Sequence, residues 1–342
     1  MKTWTEKITE LSDIRVKELE TGRVDELIEI GEGIDSNPIC MAMITIHGKG
    51  SGPRVWLQAQ THGDEPNSTE AILRVIREID HEKMVGTLVV APALNSTAFR
   101  HFLRESPLDG KNGNRIWDID WTKLGHTKVF SYIWMHRVGE MIRALKPRMV
   151  IDMHDGGTPL KIMSHVLYDV RSLEQLDDSL HELAVKSNMK VIWVNQSGRF
   201  GGSVGDFAYA SGFPSLMLES GGTGQLCEED IEEMASGLRN TLKAIGLLDV
   251  ELNQRHEKQL IMVVGNWIWA SRAGLFYPCV KLGDFIHKDD IIGHIGNLFG
   301  HMTEEITSPI NGIVFGLRYA AVADIGAYIA NIGELGGNNF GL

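Results

Sequence analysis

His62 and Glu65 stand three residues apart in the segment Thr61-His62-Gly63-Asp64-Glu65. A tight loop or a first helical turn can turn such a pair onto one metal ion. Catalytic zinc usually takes three protein ligands and leaves a fourth position for water. A third ligand must therefore come from elsewhere in the chain. His154, in VIDMHDGG, ends an apolar run that reads as a strand, and α/β sheets gather their ligands at strand ends. Asp152 lies two residues earlier on the same strand face, where it can orient a ligating imidazole. The pair alone is weak evidence in a chain with 13 histidines.

Two further features point to chemistry. The irregular stretch between the candidate ligands holds Asn95, Arg100, Arg104, Asp109, Asn114 and Arg115. Arginine suits carboxylate recognition because its guanidinium is a planar, two-pronged donor, so this stretch reads either as a site for an anionic small molecule or as a solvated loop. Glu219 follows the apolar run PSLML. A carboxylate at the end of a buried strand is costly unless it is paired, solvated or functional. A metal-activated water needs a general base of this kind, and a salt-bridging or capping glutamate is the alternative.

The elements that must position these residues follow from periodicity. Residues 4–30 read as helix or helix and loop, with Ile8, Leu11, Ile14, Leu19 and Leu27 at loose helical intervals. Strands are expected over 39–47, 54–60, 86–94, 148–155, 190–194 and 214–219, and helices over 69–79, 129–145, 171–187, 204–211 and 228–247. Residues 95–127 form a long polar connection, and such connections tend to be functional. The alternation argues for an α/β domain over residues 1–250. From 251 to 342 the pattern becomes short glycine-broken strands, read as a smaller all-β domain with its boundary near residue 255. Its hairpins resemble those of biotinyl/lipoyl-type modules, but no lysine sits in the modification context.

Composition bounds the rest. The chain has 342 residues, 43% of them apolar and 23% charged, which fits a globular protein of two domains. A net charge of −12 argues against general nucleic-acid binding, which needs clustered Lys and Arg. Cys40, Cys227 and Cys279 are far apart and form no CxxC pair, so no disulfide framework or zinc ribbon is expected. The charged N-terminal segment lacks the apolar core of a signal peptide, and no apolar run reaches the ~18 residues of a membrane helix. A cytoplasmic protein without a membrane partner is expected. Its oligomeric state is left open, a homo-oligomer included.

The order HGDE, then ALNSTAFRHFLRESPLDGKNGNR, then DMH, then LESGG resembles the succinylglutamate desuccinylase/aspartoacylase family of the zinc-carboxypeptidase superfamily, over about residues 40–250. The resemblance implies a zinc-carboxypeptidase-like mixed sheet flanked by helices, followed by a C-terminal β domain. It implies one zinc ion per chain on His62, Glu65 and His154, with Glu219 as catalytic base and Arg104 polarising the scissile carbonyl. Asn114 and Arg115 match the pair that grips the substrate carboxylate. The implied reaction is deacylation of a small N-acyl amino acid. The sequence departs from the family pattern at Asn95-Ser96, at Asn112-Gly113-Asn114-Arg115 and at Ile116-Trp117-Asp118. These changes are expected to reshape the pocket wall, and with it the choice of substrate.

Three competing readings follow from the same residues. One is a zinc carboxypeptidase for short peptides. Another is a binding protein without turnover, against which the presence of both Arg104 and Glu219 argues. The third is a serine hydrolase, because Gly201-Gly202-Ser203-Val204-Gly205 matches GxSxG. A nucleophile elbow needs its serine directly after a buried strand, and here several residues intervene, so Ser203 is expected near a helix N-cap. In the C-terminal part, Trp267 and Trp269 read as core or interface, the seven-residue spacing of His287, His294 and His301 as coincidence, and Tyr277 or Tyr319 as tyrosines able to reach the cleft.

Overall fold

The computed structural model describes residues 1–13, 20–117, 129–170, 178–196, 201–251 and 258–336. The chain begins β1 (Lys2–Thr3), α1 (Trp4–Asp13), β2 (Gly22–Glu32), β3 (Pro38–His47), β4 (Lys49–Ala59), α2 (Pro66–Glu78), β5 (Val85–Ala91) and α3 (Ser96–His101). A 3-10 turn over Gly113–Arg115 precedes α4 (Phe130–Leu145), β6 (Met149–His154), β7 (Leu160–Val170), α5 (Asp178–Ser187), β8 (Val191–Gln196), α6 (Val204–Ala210), β9 (Ser215–Gly222) and α7 (Glu228–Ala244). The remaining elements are β10 (Leu260–Trp269), β11 (Gly274–Pro278), β12 (Phe285–Ile286), β13 (Ile291–Gly296), β14 (Met302–Thr307), β15 (Gly312–Arg318), β16 (Val322–Ala323) and β17 (Tyr328–Leu335).

The result is a mixed α/β fold around one 13-stranded sheet, ordered β1-β2-β3-β5-β4-β6-β9-β7-β8-β10-β17-β15-β12. At its centre β5, β4, β6 and β9 run parallel. Alternate residues of these strands feed cores on opposite faces. Val55 and Leu57 meet Ile72, Val75 and Ile76 of α2 and Leu238 and Leu242 of α7, whereas Trp56 meets Trp134, Val138 and Met141 of α4. Both faces of the parallel centre are therefore covered, as parallel sheets require, and polar groups find room only at the strand ends.

Two sequence expectations need correction. Of the helix, or helix and loop, expected over 4–30, Trp4–Asp13 is helical, and Gly22–Glu32 is instead a strand paired antiparallel with β3. The reason is period: Ile28 and Ile30 are fully buried at alternate positions, while Leu27, counted toward the helix, is 52% exposed. Ile14 and Leu19 lie outside the described residues. Strand β7 was not anticipated at all. It is buried along most of its length, pairing with β9 on one edge and with β8 on the other.

Every described element after residue 260 is a strand. These strands do not all form a separate sheet. β10 runs parallel to β8, and β15 pairs with β7, so the main sheet continues into them. Only β14, β13, β11 and β16 make a second sheet. The expected boundary near residue 255 lies outside the described residues. Among the described residues, no helix is long and apolar enough to cross a membrane.

Candidate metal centre and active site

The parallel strands deliver the candidate residues to one place. β4 ends at Ala59, and Gln60 takes a left-handed conformation (φ 57°) that turns the chain toward His62. Gly63 then passes so close to α3 that a Cβ would stand 2.1 Å from the Ala98 carbonyl carbon, so only glycine fits. Glu65 occupies the N-cap position of α2, with Pro66 opening the helix. Its carboxylate makes no capping hydrogen bond and turns into the site instead. His154 is the last residue of β6, and Glu219 lies beside it on β9.

The side chains converge as the spacing suggested. Glu65 Oε1 lies 2.7 Å from His62 Nδ1, and Glu65 Oε2 lies 2.7 Å from His154 Nδ1. One ligand atom from each of the three residues falls within 4.8 Å of the other two. All three are buried, none more than 3% exposed. The outer imidazole nitrogens are held as well. His62 Nε2 meets Asn112 Oδ1 at 3.0 Å, and His154 Nε2 meets Asp152 Oδ2 at 2.7 Å. Asp152 in turn accepts from Gln58 Nε2 at 3.0 Å, and Gln58 accepts from Trp56 Nε1 at 2.8 Å. Two imidazoles and a carboxylate, with their far nitrogens anchored, form a donor set that fits a zinc ion with one position left open.

Electrostatics divide the carboxylates. Burial alone would raise the Glu65 pKa, but the charges of His62 and His154 outweigh it and hold the carboxyl well below its usual range. Burial also opposes charge on His154, and Asp152 and Glu65 outweigh that, raising its pKa well above the ordinary value. His62 is pulled down, by burial first and then by Arg104. Metal binding requires both imidazoles neutral, so an ion here displaces a proton from His154. Glu219 behaves oppositely to Glu65. Its side chain is 14% exposed, and burial pushes its pKa up to about 7 against the positive charge of His154.

Of the six polar residues singled out in the long connection, three reach this cavity. Arg104 Nη1 donates to Glu65 Oε1 at 3.1 Å. Asn114 sits with Nδ2 3.3 Å from His154 Nε2, while its Oδ1 accepts the Val204 backbone N–H at 3.0 Å. Arg115 lines the same cavity. The other three do structural work or face solvent. Asn95 caps α3 by accepting from Ala98 N, Asp109 accepts from Ser131 N and Oγ at 2.8 Å each at the start of α4, and Arg100 is exposed.

The cavity has a volume of about 460 Å³. Its remaining walls were not legible in the sequence. Trp267 and Trp269, read as core or interface, line it, together with Tyr168 of β7 and, from the C-terminal part, Tyr328. Tyr277 and Tyr319 are 45% and 59% exposed and lie elsewhere. His165 is another unanticipated neighbour. Fully buried on β7, it is bonded through Nδ1 to the Met163 carbonyl, and its Nε2 stands 3.5 Å from Glu219 Oε2. The departures at Ile116 and Trp117 turn out to pack in the core against Phe207 and Trp134; of the 112–117 stretch, only Asn114 and Arg115 shape the wall. Asp118 lies outside the described residues. Ser203 caps α6 in a reciprocal capping box with Asp206, which occupies its hydroxyl as the sequence reading expected.

Residues 51–245, more than half of the chain, match the family model of the succinylglutamate desuccinylase/aspartoacylase catalytic domain. The chain belongs to this family. Among curated relatives it is 25% identical, over 306 residues covering 86% of each chain, to the N-alpha-acetyl-L-2,4-diaminobutyric acid deacetylase of Halomonas elongata. Among solved structures it shares its fold with the product-bound ectoine utilization protein EutE (DoeB) from Ruegeria pomeroyi, at a TM-score of 0.82 and 20% identity over 93% of this chain and 97% of that one. A succinylglutamate desuccinylase from Silicibacter superposes with a TM-score of 0.83 at 19% identity, over 94% and 97% of the two chains. The family and the curated relative are deacylating hydrolases by their names, and His62, Glu65, Arg104, Asn114, Arg115, His154 and Glu219 all lie within the matched region.

Proposed function

We propose that the protein is a zinc-dependent hydrolase that removes the acyl group from a small N-acyl amino acid, with one zinc ion held by His62, Glu65 and His154. The observation that carries this reading is the pairing of that donor set with Glu219, a carboxyl of raised pKa on the adjoining strand end. Zinc bound there supplies Lewis acidity and lowers the pKa of a water toward ~7. Glu219, poised near neutrality, takes a proton from the attacking water and returns it to the leaving amine nitrogen. Arg104 donates to the carbonyl oxygen as negative charge develops on it. Asn114 and Arg115 hold the substrate carboxylate, which fixes the scissile amide against the reacting groups.

The relative's activity on an N-acetyl diamino acid supports this substrate type. The strands after residue 250 are proposed to act as a second unit that walls the cleft against long chains, which favours small substrates over peptides. Three free cysteines are in keeping with work in the reducing cytoplasm. The test is an activity screen of zinc-loaded protein against N-acyl amino acids and a blocked dipeptide. Cleavage of the former that is lost on chelation and restored by zinc is expected. Preferential cleavage of the dipeptide would replace this reading with a carboxypeptidase.

A further inference from the structure

The cavity continues well past Glu219. It follows β9 back from Glu219 through Met217 and Leu216 to Ser215, and β7 forward to Leu167 and Asp169. The two strands are antiparallel, with His165 opposite Glu219 and Leu167 opposite Met217. Continuing two residues places Asp169 at the level of Ser215, four residues beyond Glu219, or about 13 Å at the rise of an extended strand. Leu167, Trp193, Met217 and Trp267 line the intervening space.

Asp169 is 8% exposed. Its Oδ1 accepts from Asn195 Nδ2 at 2.6 Å, and Oδ2 has no hydrogen-bond partner among the described residues. Beside Oδ2 the chain is glycine: a Cβ on Gly205 would stand 2.5 Å from that oxygen. Burial and the nearby Asp206 carboxylate push the Asp169 pKa up to about 6, against the hydrogen bond from Asn195. At pH 7 the group is therefore largely an ionised carboxylate with one oxygen unpaired among the described residues, at the end of a passage lined mainly by apolar side chains. A buried charge of this kind is costly without a cation beside it.

We propose that Asp169 determines specificity for the amine half of the substrate, binding the terminal ammonium of a basic side chain whose stem lies between Leu167, Trp193 and Met217. The inference rests on the deacylase reading above and deepens it: the substrate class is an Nα-acyl diamino acid. The length agrees. From the reacting carbonyl carbon to the terminal nitrogen, such chains span roughly 6 to 9 Å between diaminobutyrate and lysine. About 3 Å of reactive contact at one end and a charge-assisted hydrogen bond of about 2.8 Å at the other bracket the 13 Å step.

The test compares Nα-acetyl-L-ornithine with Nα-acetyl-L-norleucine, its neutral isostere, on zinc-loaded protein. A kcat/KM at least tenfold higher for the ornithine substrate is expected. Asp169→Asn should bring the ratio below threefold by loss on the cationic substrate alone, so activity on the norleucine substrate reports an intact fold. Asp169→Ser is the second variant. Calorimetry on metal-free protein gives a readout apart from turnover: L-ornithine should bind more tightly than L-norleucine, and lose that advantage in the Asn variant. If wild type cleaves both substrates equally, or the variants keep the preference, the inference falls and the deacylase reading stands. If no N-acyl amino acid is cleaved, the deacylase reading falls and takes the inference with it.

Discussion

At the end of the cavity built by β4, β6 and β9, the candidate ligands face other polar side chains. Glu65 spans His62 and His154, Arg104 leans on Glu65, and Asp152 and Asn112 hold the outer imidazole nitrogens. At the opposite end, Asp169 is bonded to one amide, with the Asp206 carboxylate near and walls that are mainly apolar. The contrast sorts the buried carboxyls by role. A carboxylate bracketed by two imidazoles is held ionised and suits a metal ligand. One that burial raises toward neutrality, as at Glu219, suits a proton carrier. One that is ionised with an oxygen to spare suits a charged ligand.

Breaking the proton carrier should have the largest effect. Glu219→Gln is expected to lower kcat by 10³-fold or more while zinc content, read by elemental analysis, stays at one per chain; a variant with near-normal turnover removes Glu219 as the base. Next comes the layer behind the ligands. Asp152→Asn should weaken zinc binding by about 10- to 100-fold in a chelator competition, and unchanged affinity would mean that Asp152 does not orient His154. A smaller change is expected at Arg115→Lys, where loss of the two-pronged donor should raise KM about tenfold with kcat little changed. An equal fall in kcat and kcat/KM would place Arg115 at the reacting carbonyl instead.

The mildest test uses pH. Glu219 must be deprotonated to accept a proton, and burial raises its pKa to about 7. The expected kcat/KM therefore rises with pH through the acid limb and loses about tenfold per unit below it. A bound cation favours the carboxylate and moves the limb below pH 7. An acid limb above pH 7, or one that persists in Glu219→Gln, would assign it to another group.

Much of the active-site corner was legible in the sequence because its determinants are local. His62 and Glu65 share one tight turn, His154 and Glu219 each end a strongly apolar run, and each such run predicts a buried strand whose end meets solvent or ligand. Arg104, Asn114 and Arg115 were legible through the resemblance of their segment, since nothing in composition separates them from Asn95, Arg100 and Asp109, which do other work. β2 was misread because five loosely spaced apolar residues satisfied a helical period, while the strand's own signal, Ile28 and Ile30, is only two residues long.

Residue type and short spacing thus singled out His62, Glu65, His154 and Glu219 as candidates and set the α/β alternation, while the roles proposed for them came from the family resemblance. Tertiary structure alone decided the far end of the cavity. Asp169, Leu167, Trp193 and Trp267 come from β7, β8 and β10. Their encounter depends on β10 pairing with β8 and β15 crossing to β7. Such register is set by the packing of whole strands, which no local pattern of residues encodes.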